Sequence, residues 1–329
     1  MKKTIAMLLS IAMAISLAAC GSNGSSSSNS SGASGEEKYV VGYANRDDTD
    51  TYLRAVEDAF IALCEKDGTI EVISADAGGD SQAQLDQLDN FAIQGVDSVI
   101  LVPQDGATVV DYIEDCNANG IPVICSSQLA SSGEFISVGA SDYGMGMAKC
   151  QYAHDVLPEG AKVLYLGGVM GYQTSIDRRQ AVVDGLAERL YADWDGNVLN
   201  PDGDITVLSW QEGKYTNESG MTITEDWIQT FSDFDAIICV NDRSALGAIE
   251  ALQGANINDV MVFSIDGLED AMQCIKDGTM TGTVLQSAEL QAQCLYEAVC
   301  NFRNGVENES VIEPDVTVID ASNVDEYLK

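Results

Sequence analysis

The chain carries little positive charge and almost no histidine. Sixteen lysines and arginines stand against 52 acidic residues, for a formal net charge of −36. Such a surface repels nucleic acid and anionic lipid, and the basic stripe that a nucleic-acid binder needs is missing. The charge favours solubility and says nothing about a ligand. His154 is the single histidine, which excludes a triad with two histidine roles and disfavours a zinc site. No Cys-x-x-Cys pair and no helix-turn-helix pattern occurs. Gly167-Gly168-Val169-Met170-Gly171 follows a strand pattern but lacks the G-x-G-x-x-G spacing of a dinucleotide loop. After the first twenty residues no stretch is apolar for long enough to cross a bilayer. No cofactor, metal or nucleic-acid partner is expected.

What is present begins with an export signal. Lys2 and Lys3 precede an apolar run to Ala19, shorter than a membrane span and ending in small residues. Leu17-Ala18-Ala19-Cys20 matches a lipoprotein processing box, so residues 1–19 are expected to be removed and Cys20 to bear the lipid. More than one acyl chain there would anchor the protein stably, on the outer face of the cell membrane. Residues 21–35 are glycine, serine, asparagine and one alanine, a flexible tether with a reach of roughly 20 Å. Eight further cysteines would suggest disulfides in an exported chain. Cys125 and Cys239, however, lie in apolar strand runs, and Cys64, Cys274, Cys294 and Cys300 in helical patterns. Free thiols acting as small hydrophobes are expected.

From residue 38 the pattern alternates strand and helix. Strands are expected at 39–44, 71–74, 96–102, 122–125 and 135–138, with helices at 53–64, 82–94 and 109–117 between them. A second series has helices at 143–157, 178–190 and 221–230 and strands at 161–166 and 205–209. Strands at 260–264 and 282–285 and a helix at 290–302 complete it. This alternation predicts an α/β fold of mostly parallel sheets with helices on both faces. Two such series predict two similar lobes joined by a hinge of several segments. The N-terminal lobe is expected to comprise 38–140 plus 287–311, and the C-terminal lobe 141–286 plus 312–329.

Within the second series, residues 235–252 organise the rest. An apolar strand breaks at Asn241-Asp242, and helical spacing follows at Ala245, Ile249 and Leu252. Asp242 or Ser244 is expected to cap that helix. In open α/β sheets the carboxyl ends of strands face the crevice that binds ligands, which places Asn241 at its edge. Polar and aromatic residues gather at the other strand ends as well. Asp50 and Tyr52 follow the first strand, and Ser127 and Gln128 the fourth. Arg178 and Arg179 follow Leu166, Trp210 and Tyr215 follow Ser209, and Asp266 and Gln286 end later strands. Planar acids and amides take hydroxyls in pairs while flat rings cover C–H faces, the chemistry of a neutral polyol site.

Several segments together carry a family resemblance: Val40-Val41-Gly42-Tyr43, Gly95-Val96-Asp97-Ser98-Val99-Ile100, Gly120-Ile121-Pro122-Val123-Ile124, Asn241-Asp242 with Ala245-Leu246-Gly247-Ala248, Asp266-Gly267 and Gly282-Thr283-Val284-Leu285-Gln286. In this order they resemble the type I periplasmic sugar-binding proteins, nearest the galactose/glucose and ribose branch. The resemblance implies two Rossmann-like lobes closing on a small sugar or polyol, which is then delivered to an ABC permease, with the protein acting as a monomer. Carried over residue by residue, it implies ligand roles for Asp50, Tyr52, Arg178, Tyr215, Asn241, Asp266 and Gln286. Arg179 and Trp210 are alternatives to Arg178 and Tyr215. Ser127-Gln128 stands where ribose binders carry Asp-Arg, so ribose itself is not implied. Asp193-Trp194-Asp195-Gly196-Asn197 and Asp202-Gly203-Asp204 hint at a calcium loop, but Val198 stands where the EF-hand needs glycine. Two other functions fit the same residues: a sensor docking on a membrane receptor, and a glycosidase using Asp50 and Asp266 as paired carboxylates.

Overall fold

The computed structural model describes residues 38–187 and 204–328. The export signal, Cys20, the tether, the hinted calcium loop up to Gly203 and the end of the helix expected to reach residue 190 lie outside them. In chain order the first series is β1 (Tyr39–Asn45), α1 (Thr51–Asp67), β2 (Ile70–Asp76), α2 (Ser81–Gln94), β3 (Ser98–Leu101), α3 (Val110–Ala118), β4 (Val123–Ser126) and β5 (Ile136–Val138). The second is α4 (Asp142–Val156), β6 (Ala161–Gly167), α5 (Gln173–Ala187), β7 (Ile205–Glu212), α6 (Asn217–Thr230), β8 (Ala236–Cys239), α7 (Asp242–Gly254), β9 (Met261–Asp266), α8 (Glu269–Lys276) and β10 (Gly282–Leu285). α9 (Ala288–Arg303), β11 (Val311–Ile312) and β12 (Thr317–Asp320) follow.

Two six-stranded sheets result, ordered β11-β5-β4-β3-β1-β2 and β12-β10-β9-β8-β6-β7. The first is parallel throughout. In the second only the β10–β12 pair runs antiparallel. The molecule is thus the two-lobed α/β fold that the alternation of patterns predicts. The chain passes between the sheets after β5, after β10 and after β11.

Each sheet is covered on both faces, which is why its central strands read as unbroken apolar runs. In the first, Val41 and Tyr43 pack with Phe60 of α1 and Leu295 of α9, while Ala44, Val99 and Leu101 pack with Leu88 and Phe91 of α2. In the second, Val163, Tyr165 and Ile238 face Cys150 of α4 and Val182 of α5. Leu164, Ile237 and Cys239 face Trp227 of α6 and Ala248 and Leu252 of α7. α6 and α7 touch almost backbone to backbone: a Cβ on Gly220 would strike the Ser244 carbonyl, and one on Gly247 that of Asn217. All eight cysteines of the described residues are free thiols, five of them buried.

Some expectations need correcting. α7 is capped by Asn241, not by Asp242 or Ser244. Asp242 turns inward instead, because two donors inside the lobe need its carboxylate. α5 starts at Gln173, five residues ahead of Arg178, so that arginine lies within the helix and does not open it. α8 and β12 have no counterpart in the expected series.

Candidate functional site

In the first lobe the polar residues follow β1 and β4. Asp50 is the N-cap of α1: its Oδ1 accepts from the Tyr52 and Leu53 amides at 3.1 and 3.3 Å. Its Oδ2 pairs with Arg46 at 3.0 Å. The cap fixes the first turn of α1 and so aims Tyr52, whose hydroxyl donates to Gln291 Oε1 at 2.8 Å. Gln291, 1% exposed, donates through Nε2 to Ser126 Oγ at 3.0 Å and Ser127 Oγ at 2.6 Å. Ser127 adopts a left-handed φ of 61° and holds Val138 O through its amide at 3.1 Å. Gln128 is exposed, and its amide donates to Ser126 O at 2.7 Å. Burial raises the Tyr52 hydroxyl pKa well above its usual range against the opposing effect of the Gln286 amide, and Asp142 acts on it too.

In the second lobe the carboxyl ends of β8 and β9 converge on Arg178. This guanidinium is 4% exposed. Nε donates to Asp142 Oδ1 at 2.8 Å, and Nη1 to Val240 O at 2.8 Å. Nη1 also lies 3.6 Å from Asp266 Oδ1. Burial disfavours its charge, but Asp142 and then Asp266 outweigh that and raise its pKa. Asp142 is held in turn by Thr174 Oγ1 at 2.8 Å. Asn241 Oδ1 accepts from Ser244 N at 3.1 Å and Ser244 Oγ at 2.6 Å, while Nδ2 reaches Tyr215 O at 3.4 Å. The Tyr215 hydroxyl bonds Ser175 Oγ, and its ring lies so close to Gly168 that any Cβ there would strike it. Asp266 ends β9 at φ 136°, followed by Gly267 at 79°. Its carbonyl accepts from the Gln286 amide at 3.0 Å, which ties the crossing after β10 to the same point.

A second carboxyl lies beneath. Asp242 accepts from Leu268 N and Thr283 Oγ1, both at 2.7 Å. Burial and then the charge of Asp266 raise its pKa. Burial also raises that of Asp266, against the pull of Arg178.

The structure thus brings Arg178, Tyr215, Asn241 and Asp266 together, with Gln286 joined to them through its backbone. It groups Tyr52 and Ser127 around Gln291, and Asp50 in the turn before Tyr52. The alternatives part: Arg179 lies 4.6 Å from the centroid of Trp210, which packs on the apolar core, whereas Arg178 and Tyr215 share the polar cluster. Sequence reasoning missed Asp142 and Gln291. Asp142 had a signal, as an acid opening a helix directly after the chain changes lobes. Gln291 had only its place one helical turn into α9. A concavity of about 1150 Å³ lies elsewhere, between the starts of β4 and β5 and the end of α9, and holds none of these residues.

A family model described as periplasmic binding protein domain matches residues 41–305. The chain belongs to the periplasmic binding proteins. Among curated members, a ribose import binding protein of Bacillus subtilis is 27% identical over 307 residues, 93% of this chain and 94% of that protein. Among solved periplasmic binding proteins, a ribose ABC transporter protein from Conexibacter woesei superposes with a TM-score of 0.75 at 24% identity, covering 89% of this chain and 95% of its own. A solute binding protein from Bacillus halodurans with bound myo-inositol gives 0.69 at 26% identity, covering 89% and 99%. These matches agree with a fold of two parallel-dominated sheets.

Proposed function

We propose that this periplasmic binding protein captures a small neutral sugar or polyol between its two lobes and delivers it, chemically unchanged, to an ABC permease. The observation that carries this reading is the cluster of Arg178, Asp266, Asn241 and Tyr215 at adjoining strand ends of the second lobe; Tyr52 adds an aromatic face from the first. Carboxylate and guanidinium suit hydroxyls as acceptor and donor, and each ring supplies a face for C–H groups. Arg178 is flanked by Asp142 and Asp266, so the cluster offers no surplus cation to an acid. Relatives named for ribose and xylitol, and structures with bound myo-inositol, support the solute class. Asp50, Ser127, Gln128 and Gln286 complete the proposed site. Ser127-Gln128 offers no charged pair, so a solute other than ribose is expected.

The protein works outside the membrane, held by lipid on Cys20, with lobes divided near residues 140, 286 and 312, and acts as a monomer. A thermal-shift screen of sugars, cyclic polyols and sugar acids tests this, because a ligand that binds only the folded state raises Tm. A neutral polyhydroxy compound is expected to raise it. A panel in which only acids act, or in which a glycoside is hydrolysed, would overturn the reading. Cys20→Ser is expected to move the protein from the membrane to the soluble fraction.

A further inference from the structure

Lys149 lies on α4 with its side chain wholly inside the second lobe, 2% exposed. Its ammonium donates to the carbonyl of Cys239 at 2.7 Å and stands 5.9 Å from the ring centroid of Tyr165. A buried charge is costly unless something needs it. The carbonyl it holds is the last of β8, and the next one, Val240 O, receives Arg178. The following residue is Asn241. α4, which carries Lys149, also opens with Asp142, the partner of Arg178. One lysine therefore ties the helix and the strand that together set Arg178 and Asn241.

The titratable and charged groups around it come from five elements: Cys150 on α4, Arg178 on α5, Tyr165 on β6, Cys239 on β8 and Asp266 on β9.

We propose that Lys149 is a positioning residue for solute capture: its bond to Cys239 O braces α4 against the end of β8 and so holds Asn241 and the Val240 carbonyl that receives Arg178. The inference rests on the proposed roles of Arg178 and Asn241 in the site.

The test uses the full chain with Lys149→Met and Lys149→Gln. Methionine removes charge and donor, whereas glutamine keeps a donor for Cys239 O without charge. At pH 7 Lys149→Met is expected to bind the solute about tenfold more weakly, and Lys149→Gln, which keeps the donor, is expected to recover part of that affinity; glutamine carries the test if the methionine variant does not fold. The Asn241 side-chain amide signals of the ligand-free protein are expected to shift in Lys149→Met and to return towards the parent in Lys149→Gln. Parental affinity in Lys149→Met, or Asn241 signals unmoved in it, overturns the proposal. A parent that binds no member of the panel overturns the proposed function instead, and the ligand-free Asn241 signals still decide whether Lys149 sets that strand end.

Discussion

Asp266 sits at φ 136°, a region that costs any residue with a Cβ, and Arg178 answers its carboxylate from 3.6 Å. Asparagine preserves the size of the side chain and branches at the same atom as aspartate. Asp266→Asn is thus expected to fold and to lose the charged acceptor. A hydrogen bond to a charged group is worth about 1.5–3 kcal/mol, which corresponds to about 10- to 100-fold in affinity. Calorimetry checks this, and parental affinity would place Asp266 outside the site. The same variant has a pH signature. Asp242 is raised by burial and by the charge of Asp266, so the folded state holds its proton to a higher pH than the unfolded chain. That contribution to stability is full at acid pH and is lost as pH rises towards the raised value. Urea midpoints from pH 4 to 7 should therefore decline less steeply in Asp266→Asn than in the parent. Asp266 and Asn241 were legible in the sequence because a polar residue ending an apolar strand is visible as a break in pattern. Lys149 and Gln291 were not. Long polar side chains on helices are solvated by default, and their burial comes from neighbours distant in sequence: Cys239 for one, Tyr52 and Ser127 for the other.

At the scale of elements, helix starts and strand ends are the same places, and single residues do two tasks there. Asp50 shows the overlap: a third of its side chain is exposed, while its carboxylate caps α1. Asparagine caps a helix as well as aspartate does, whereas alanine costs about 1 kcal/mol. Asp50→Asn is therefore expected to keep the parent's denaturation midpoint and to bind the solute several-fold more weakly, while Asp50→Ala is expected to lose stability too. If Asp50→Asn binds as the parent does, Asp50 is a cap alone. This sharing also explains the misread start of α7. The run Asn241-Asp242-Arg243-Ser244 offers three side chains able to cap, and tertiary contacts decide among them. Leu268 N and Thr283 Oγ1 hold Asp242 inside the lobe, and the cap passes to Asn241. The alternation of strands and helices was legible because period 2, period 3.6 and unbroken apolar runs are local properties. α8, with eight residues, and β12, with four, are too short to establish a period, and β12 gains its partner β10 only once the chain has crossed between lobes for the third time.

For the whole molecule, three crossings join the lobes, and the proposed site has residues on either side of them. A solute touching both lobes favours the closed arrangement by its differential contact energy, and one touching a single lobe does not. One of the contacts concerns the hinge directly: Gln286 follows β10 at a crossing and is bonded through its amide to Asp266 O. Closure should then be visible as a change of shape. In small-angle scattering the radius of gyration is expected to fall when the solute identified by the thermal screen is added at saturation. Tyr52→Ala, which removes the ring on the first lobe and leaves the second-lobe cluster intact, is expected to bind more weakly and to close less completely at saturation. Asp266→Asn, which weakens the second-lobe grip, is expected to need more solute for the same compaction. A radius that stays constant while calorimetry registers binding would mean that one lobe holds the solute by itself. The hinge would then have no part in capture.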